Sequence, residues 1–289
     1  MIWSLVTNEE MIGFGTTPVF KFYREAIGAN NIELAVVHEK DSLDFVSNSD
    51  VVILRSANKN LIDTIRRKRI TSTAEDFLSY EFIKDKAVLG KFLNRNDVKI
   101  PFQYSIDEVT DGKVYFVKPR YGSDSKGISN ANICRSKKEV ETQVDRISKE
   151  LLQESVIEDF IIGIDCTVSC AYNSLYDSFV ASAIEIETDG RDNVQTRECK
   201  VGYQELCKPM SERESQKLIE IAKRIFSLVG LKHHARIDFR KNCYGQYFAI
   251  DVNAMPGLGP LDHFAKSMLL TRNLSYRDTL KMVIDSASI

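Results

Sequence analysis

The chain has 289 residues, 43% hydrophobic and 28% charged, which argues against a disordered chain and leaves room for one large or two to three small packed units. Its 39 Lys and Arg against 41 Asp and Glu give a net charge of −2, so a strong basic field for nucleic acid is excluded. No apolar run approaches the ~18–20 residues that span a bilayer, and the first ten residues lack the basic start and apolar core of a signal peptide. The expectation is a cytoplasmic enzyme or binding protein with no nucleic-acid or membrane partner.

The first eighty residues alternate strand-like and helix-like segments. Residues 2–6, 32–37 and 50–54 read as strands, and 60–68 as a helix ending in a basic cluster. This rhythm predicts a small parallel sheet. Between the first two strands, Gly13-Phe-Gly-Thr-Thr-Pro18 opens a helix through 23–27. It lacks a third glycine at dinucleotide spacing, so a structural turn and a substrate loop both fit.

From Phe82 the pattern changes. Residues 84–94 predict an amphipathic helix, 113–119 a strand running into a glycine and serine loop, and 137–152 a charged helix. Apolar segments 151–157 and 165–172 flank a turn at Gly163. The strongest helix covers 211–229: Ser211-Glu-Arg-Glu214 is a capping box, Leu218, Ala222, Ile225 and Phe226 lie on one stripe, and Gly230 supplies the stop. Two strands and a closing helix over 276–287 complete the chain. The six Cys form no CxxC pair, and the four His are too scattered for a zinc set. Cys166 and Cys170, four apart in a strand, read as buried hydrophobes.

Chemistry concentrates near the C-terminal end. In Ala235-Arg-Ile-Asp-Phe239, Arg236 and Asp238 share one strand face. In Gln246-Tyr-Phe-Ala-Ile-Asp-Val-Asn253, Asp251 and Asn253 share a face, with Ile250 and Val252 opposite. Residues 240–245 can close the two into an antiparallel hairpin. If the polar faces coincide, two carboxylates and an amide oxygen meet beside a guanidinium, an oxygen-only set suited to Mg²⁺. Earlier in the chain, a strand delivers Lys118 into a loop with Gly122, Ser123, Ser125 and Gly127. Glycines admit an anion to backbone N–H groups, serines add donors, and the lysine adds charge. The spacing is not that of a Walker A loop. Together with a Mg²⁺ cluster, it points to a triphosphate.

These segments carry a resemblance. Val117-Lys-Pro-Arg-Tyr-Gly-Ser-Asp-Ser-Lys-Gly-Ile128 resembles the lysine and glycine-loop motif of the ATP-grasp superfamily, and Ile157-Glu-Asp-Phe-Ile-Ile-Gly-Ile-Asp-Cys-Thr-Val168 its hinge. Arg236-Ile-Asp238 and Asp251-Val-Asn-Ala-Met-Pro-Gly257 resemble its metal-binding strands. The last, with Leu274-Ser-Tyr276, is similar to the D-alanine–D-alanine ligase branch. The phosphate loop is closer to the carbamoyl-phosphate-synthetase-like branch. The segments occur in family order and cover roughly residues 82–289.

The resemblance implies an α/β, ATP-grasp fold. A small parallel-sheet N-terminal domain (1–81) precedes two α+β lobes (82–155 and 156–289) that sandwich the nucleotide. It implies Lys86 and Lys118 on phosphates, with Ser123, Ser125 and Gly127 in the loop over them. It further implies Glu158 on the adenine amino group, the Phe160 and Ile161 backbone on the ring edge, and Asp165 on the ribose. Asp238, Asp251 and Asn253 would hold Mg²⁺ (or Mn²⁺), and Arg236 would stabilise charge developing during reaction. The family usually has Glu at positions 165 and 251, where this chain has the shorter Asp. A loop over 187–202, carrying Arg191, Arg197 and Lys200, would cover the phosphates.

The implied activity is a carboxylate–amine ligase: ATP activates a carboxylate as an acylphosphate, and an amine displaces phosphate. A small-molecule kinase on the same fold and a non-catalytic ATP-binding protein are the rival expectations. The partners would be small-molecule carboxylates and amines. Such ligases often form homodimers, though nothing in the sequence marks an interface. Asp262 in the tail 257–266, where the D-alanine ligase branch carries a hydroxyl residue, would repel a carboxylate and favour an ammonium.

Overall fold

The computed structural model describes residues 2–7, 28, 33–38, 43–122, 125–188 and 205–288. The Gly13–Pro18 turn, Ser123 and nearly all of the 187–202 loop lie outside these residues.

Strands β1 (Ile2–Thr7), β2 (Glu33–His38), β3 (Val51–Arg55) and β4 (Thr71–Ser72) form a parallel sheet in the order β2-β1-β3-β4. Val52, Ile53 and Leu54 are fully buried, as a parallel strand covered on both faces requires. Helices α1 (Leu43–Ser47) and α2 (Lys59–Lys68) flank β3 in sequence. The predicted 84–94 helix is α4 (Lys86–Arg95), and an unpredicted helix, α3 (Phe77–Lys84), runs directly into it. The break is Asp85, whose extended backbone (φ −81°, ψ 91°) stops one helix while its carboxylate accepts from the Ala87 and Val88 amides to start the next.

The second sheet is antiparallel, with β5 (Gln103–Tyr104), β6 (Tyr115–Pro119), β7 (Ile133–Cys134) and β8 (Ser155–Asp159) in the order β5-β8-β6-β7. Helix α5 (Lys137–Leu151) packs Val140 and Ile147 against Tyr115, Val117 and Ile157.

The third sheet holds β9 (Gly163–Asn173), β10 (Ser178–Thr188), β11 (Glu205–Pro209), β12 (His234–Asn242) and β13 (Tyr247–Asn253), antiparallel in the order β11-β10-β9-β12-β13. Helix α6 (Glu212–Leu228) covers one face, seating Leu218, Ala222, Ile225 and Phe226 in the core that holds Cys166, Val168, Cys170, Ile237 and Phe239. Helices α7 (His263–Arg272) and α8 (Tyr276–Asp285) join Phe264, Met268, Leu280 and Val283 to Leu5 and Ile53 of the first sheet. Sequence reading missed α1, α3 and α7 and strands β4, β7, β10 and β11. Helix α7 buries His263 and Ser267 among its apolar residues, which blurs an amphipathic stripe. Among the described residues, no helix is long and apolar enough to cross a membrane.

The β12–β13 hairpin forms in the expected register, Arg236 opposite Asn253 and Asp238 opposite Asp251. One feature differs. Phe239 pairs with Ala249, so Ile250 is an extra residue, a β-bulge. Before it, Tyr247 and Ala249 lie in the core; after it, Val252 and Ala254 do. The bulge switches parity, and that switch turns Asp251 and Asn253 away from the core. Ile250 was expected on the opposite face from Asp251, yet both line the same cleft.

At the start of β9 the backbone passes tightly over β12. A Cβ on Gly163 would lie 1.9 Å from the Lys241 carbonyl oxygen. We expect Gly163→Ala to lower unfolding free energy by about 3 kcal/mol, as overpacking against rigid backbone does. Urea unfolding checks this, and a wild-type midpoint contradicts it.

Candidate active site

A cleft open to solvent separates the second and third sheets. Lys86, Lys118, Gly122 and Ser125 line one wall; Arg236, Asp238, Ile250 and Asp251 line the other. Glu158, Phe160, Ile161 and Asp165 close the end where β8 passes into β9.

Lys118 sits near the end of β6 with only 9% of its side chain exposed. Its Nζ lies 2.8 Å from Glu158 Oε1 and donates to the Ile250 carbonyl at 3.0 Å. That carbonyl belongs to the bulge, so Lys118 of one sheet is anchored by the irregularity of the other. Burial pushes the Glu158 carboxyl above its ordinary range, while the Lys118 charge pulls it down. Lys86, the first residue of α4, bridges the same gap: its Nζ lies 3.1 Å from Asp251 Oδ1 and donates to the Gly122 carbonyl at 2.8 Å. Two cations from the first wall thus converge on the second.

On β12, Arg236 forks onto Asp238 with Nε and Nη2 each 2.9 Å from a carboxylate oxygen. Thr167 of β9 donates to the same carboxylate at 2.6 Å. Asp238 and Asp251 oppose each other directly, and Asn253 lies two pairs further on, opposite Arg236. The Asn253 Oδ1 accepts from the Met255 amide at 2.9 Å, which starts the turn out of the strand. Two carboxylates on one rung and an amide oxygen two rungs on are the oxygen donors that a hard divalent cation takes. Among the described residues there is no group of three or more His, Cys, Asp and Glu that could hold a metal.

At the hinge, Asp165 lies 3.0 Å from Arg240 Nη1. Arg240 also donates to the carbonyls of Ile161 (2.8 Å) and Gly163 (3.1 Å), and its guanidinium lies 4.9 Å from the Phe160 ring centre. The Phe160 amide donates to the Val114 carbonyl at 3.0 Å, so of the two expected ring-edge groups the Phe160 N–H is already engaged. In the glycine loop, Gly127 adopts φ +78° and its carbonyl accepts from Asn132 and Arg146, so it shapes the loop base and does not line the cleft.

Sequence reading missed Thr167, Arg240 and Asp85. Thr167 and Arg240 are β-strand neighbours of named site residues on the same face, a period-2 signal that was available. Asp85 directly precedes Lys86. It caps α4, and Arg120 donates to it through Nε (2.9 Å) and Nη2 (2.6 Å).

The Arg120 contacts, and then the Val88 amide and Tyr121 hydroxyl, hold the Asp85 carboxyl below its usual value of 3.8, against a smaller opposing effect of burial. A depressed folded value means that this carboxylate stabilises the fold above its unfolded pKa, and the effect is lost as pH falls through the folded one. We expect Asp85→Asn, which keeps a cap but loses the charged pair with Arg120, to cost about 1 kcal/mol at neutral pH, with the gap to wild type closing in acid. Denaturant unfolding at both pH values checks this; a gap independent of pH contradicts it.

Comparison with known proteins identifies the family. The family model described as D-ala D-ala ligase C-terminus matches residues 94–285. A D-alanine–D-alanine ligase of Francisella philomiragia is 27% identical over 142 residues, 49% of this chain and 45% of that protein. One from Mannheimia succiniciproducens is 26% identical over 182 residues, 59% and 56% of the two chains. The chain spans about half the length of these curated relatives. One from Carboxydothermus hydrogenoformans is 26% identical over 236 residues, 74% and 72%. Among solved structures, D-alanine–D-alanine ligase from Bacillus anthracis complexed with ATP superposes with a TM-score of 0.75 at 17% identity, covering 99% of this chain and 97% of that one. The VanG D-Ala:D-Ser ligase from Enterococcus faecalis gives 0.71 at 15% identity, covering 98% of each. The structural likeness shows a shared fold, and the family match shows descent: the chain belongs to the D-ala D-ala ligase C-terminal family, within the ATP-grasp superfamily.

Proposed function

We propose that this protein is an ATP-dependent carboxylate–amine ligase that forms an amide or peptide bond between amino-acid-like substrates through an acylphosphate. The observation that carries the reading is the convergence of Lys86 and Lys118 with Asp238 and Asp251 across one cleft. Relatives named D-alanine–D-alanine ligase support the reaction class.

In this reading the Ile161 amide and the Glu158 carboxylate meet the adenine, and Asp165, held by Arg240, meets the ribose. Lys118 and Lys86 neutralise phosphate charge. Asp238, Asp251 and Asn253 would hold Mg²⁺, which would supply charge screening and polarisation at the transferring phosphoryl group. Lys86, now paired with Asp251, would be released to a phosphate oxygen if Asp251 served a cation. Arg236, oriented by Asp238 and Thr167, meets the oxyanion that forms when the amine attacks the acylphosphate. The chain needs no side-chain nucleophile, because positioning and charge carry the barrier.

The tail 257–266 is the stretch the resemblance assigns to the acceptor end. Asp262 accepts the Gly259 amide at 2.6 Å, and Cβ atoms on Gly257 or Gly259 would fall within 3 Å of its carboxylate. The tail is thus wound around a fixed anion. That anion disfavours an acceptor carboxylate beside it and favours an acceptor whose nearby group is cationic, which argues against D-alanine as the acceptor.

A coupled assay for ADP over a panel of acids and amines tests the proposal. Phosphate release that requires both an acid and an amine is the expected result; a stable phosphorylated alcohol contradicts it. Lys118→Ala and Asp251→Asn should each lower turnover by about 100-fold or more, as loss of one charge-stabilising group does, with folding retained by circular dichroism. Wild-type turnover in both removes the site assignment.

A further inference from the structure

We propose that Arg55, in the parallel-sheet unit outside the cleft, is a positioning residue that clamps the open end of the hairpin bearing Arg236 and Asn253. The inference rests on the ligase reading for its kinetic consequence but on geometry for the clamp.

Arg55 is the last residue of β3 and is 5% exposed. Its Nη2 donates to the Pro256 carbonyl, and its Nη1 lies 3.3 Å from His234 Nε2. These two acceptors flank the hairpin. His234 lies two residues before Arg236, and Pro256 three residues after Asn253. The β12–β13 ladder ends at the Arg236–Asn253 pair. Beyond it, the strands no longer hold each other, and the chain leaves as Ala254-Met255-Pro256-Gly257. One guanidinium spans that gap and takes the place of the missing rungs.

The imidazole is built for this role. Its ring meets Phe264 edge to face, with centroids 6.2 Å apart. Burial, with the charges of Arg55 and His233, holds its pKa well below the ordinary histidine value, so it stays neutral and accepts at Nε2. Its Nδ1 then carries the proton and has no hydrogen-bond partner among the described residues. That unsatisfied atom fits a tautomer set by Arg55. The contact has a rigid base, because the two units are joined nearby. The buried Glu75 carboxylate accepts the Lys232 and His233 amides at 3.0 and 2.9 Å. Ser72 and Ser288 exchange backbone hydrogen bonds at 2.9 and 3.0 Å.

The test uses the full chain with Arg55→Met and Arg55→Ala, read by amide hydrogen exchange and by turnover per folded molecule. With Arg55→Met, exchange over residues 254–258 is expected to speed up at least tenfold while 237–241 stays at the wild-type rate. Turnover is expected to fall about 10- to 100-fold, the scale of a small misplacement of reacting groups. Methylguanidinium, which fits the space left in Arg55→Ala, should restore part of the turnover; a residue needed only for folding would show lower stability with wild-type turnover and no rescue. Wild-type exchange at 254–258 overturns the clamp. Faster exchange with unchanged turnover overturns the positioning role. If the wild-type protein ligates nothing on the panel, the exchange data still decide the clamp, and the ligase reading alone falls.

Discussion

One extra residue in a β-strand organises this site. A regular strand through Tyr247 and Ala249, both in the core, would carry Asp251 and Asn253 into the core as well. The bulge at Ile250 reverses the parity, turning both side chains away from the core and setting Asp251 in the cleft wall. It also leaves a carbonyl outside the ladder, and Lys118 takes it. The same irregularity therefore aims the oxygen donors of one sheet and anchors the principal cation of the other.

The cleft holds buried charge in pairs: Lys118 with Glu158, Arg236 with Asp238, and Arg240 with Asp165. Such pairs add little net stability, since desolvation offsets most of their attraction, yet removing one partner leaves the other buried and exposed to the full penalty. Their value lies in geometry. Arg236 is held by a two-point fork, and its partner Asp238 by a third contact from Thr167, so a charge-bearing group on β12 has one orientation. Arg240 does the same at the hinge, binding two carbonyls and a carboxylate at once.

Much of this was legible in the residues. The period-2 alternation of 235–239 placed Arg236 and Asp238 on one face, and the hairpin register then brought Asp251 opposite Asp238. The capping box at Ser211 started α6 as expected, with Ser211 accepting the Glu214 amide. The bulge was not legible, because residues 247–250 are all apolar or aromatic and carry no alternation that could reveal a slip. The role of Asp85 was hidden for another reason: its partner Arg120 is 35 residues away. Arg55 was invisible on the same ground, its acceptors lying 179 and 201 residues downstream. Local pattern shows faces and caps; it does not show which distant carbonyl a side chain will reach.

The central claim is that the two walls of the cleft act together on one phosphate chain and its cation. Equilibrium binding of AMP, ADP and ATP to the wild-type protein, with and without Mg²⁺, tests it most directly. Affinity should rise along the series and rise further with Mg²⁺ for ATP, because only the longer chains reach Lys86, Lys118 and the paired aspartates. Equal affinity for all three nucleotides, indifferent to Mg²⁺, would contradict the account.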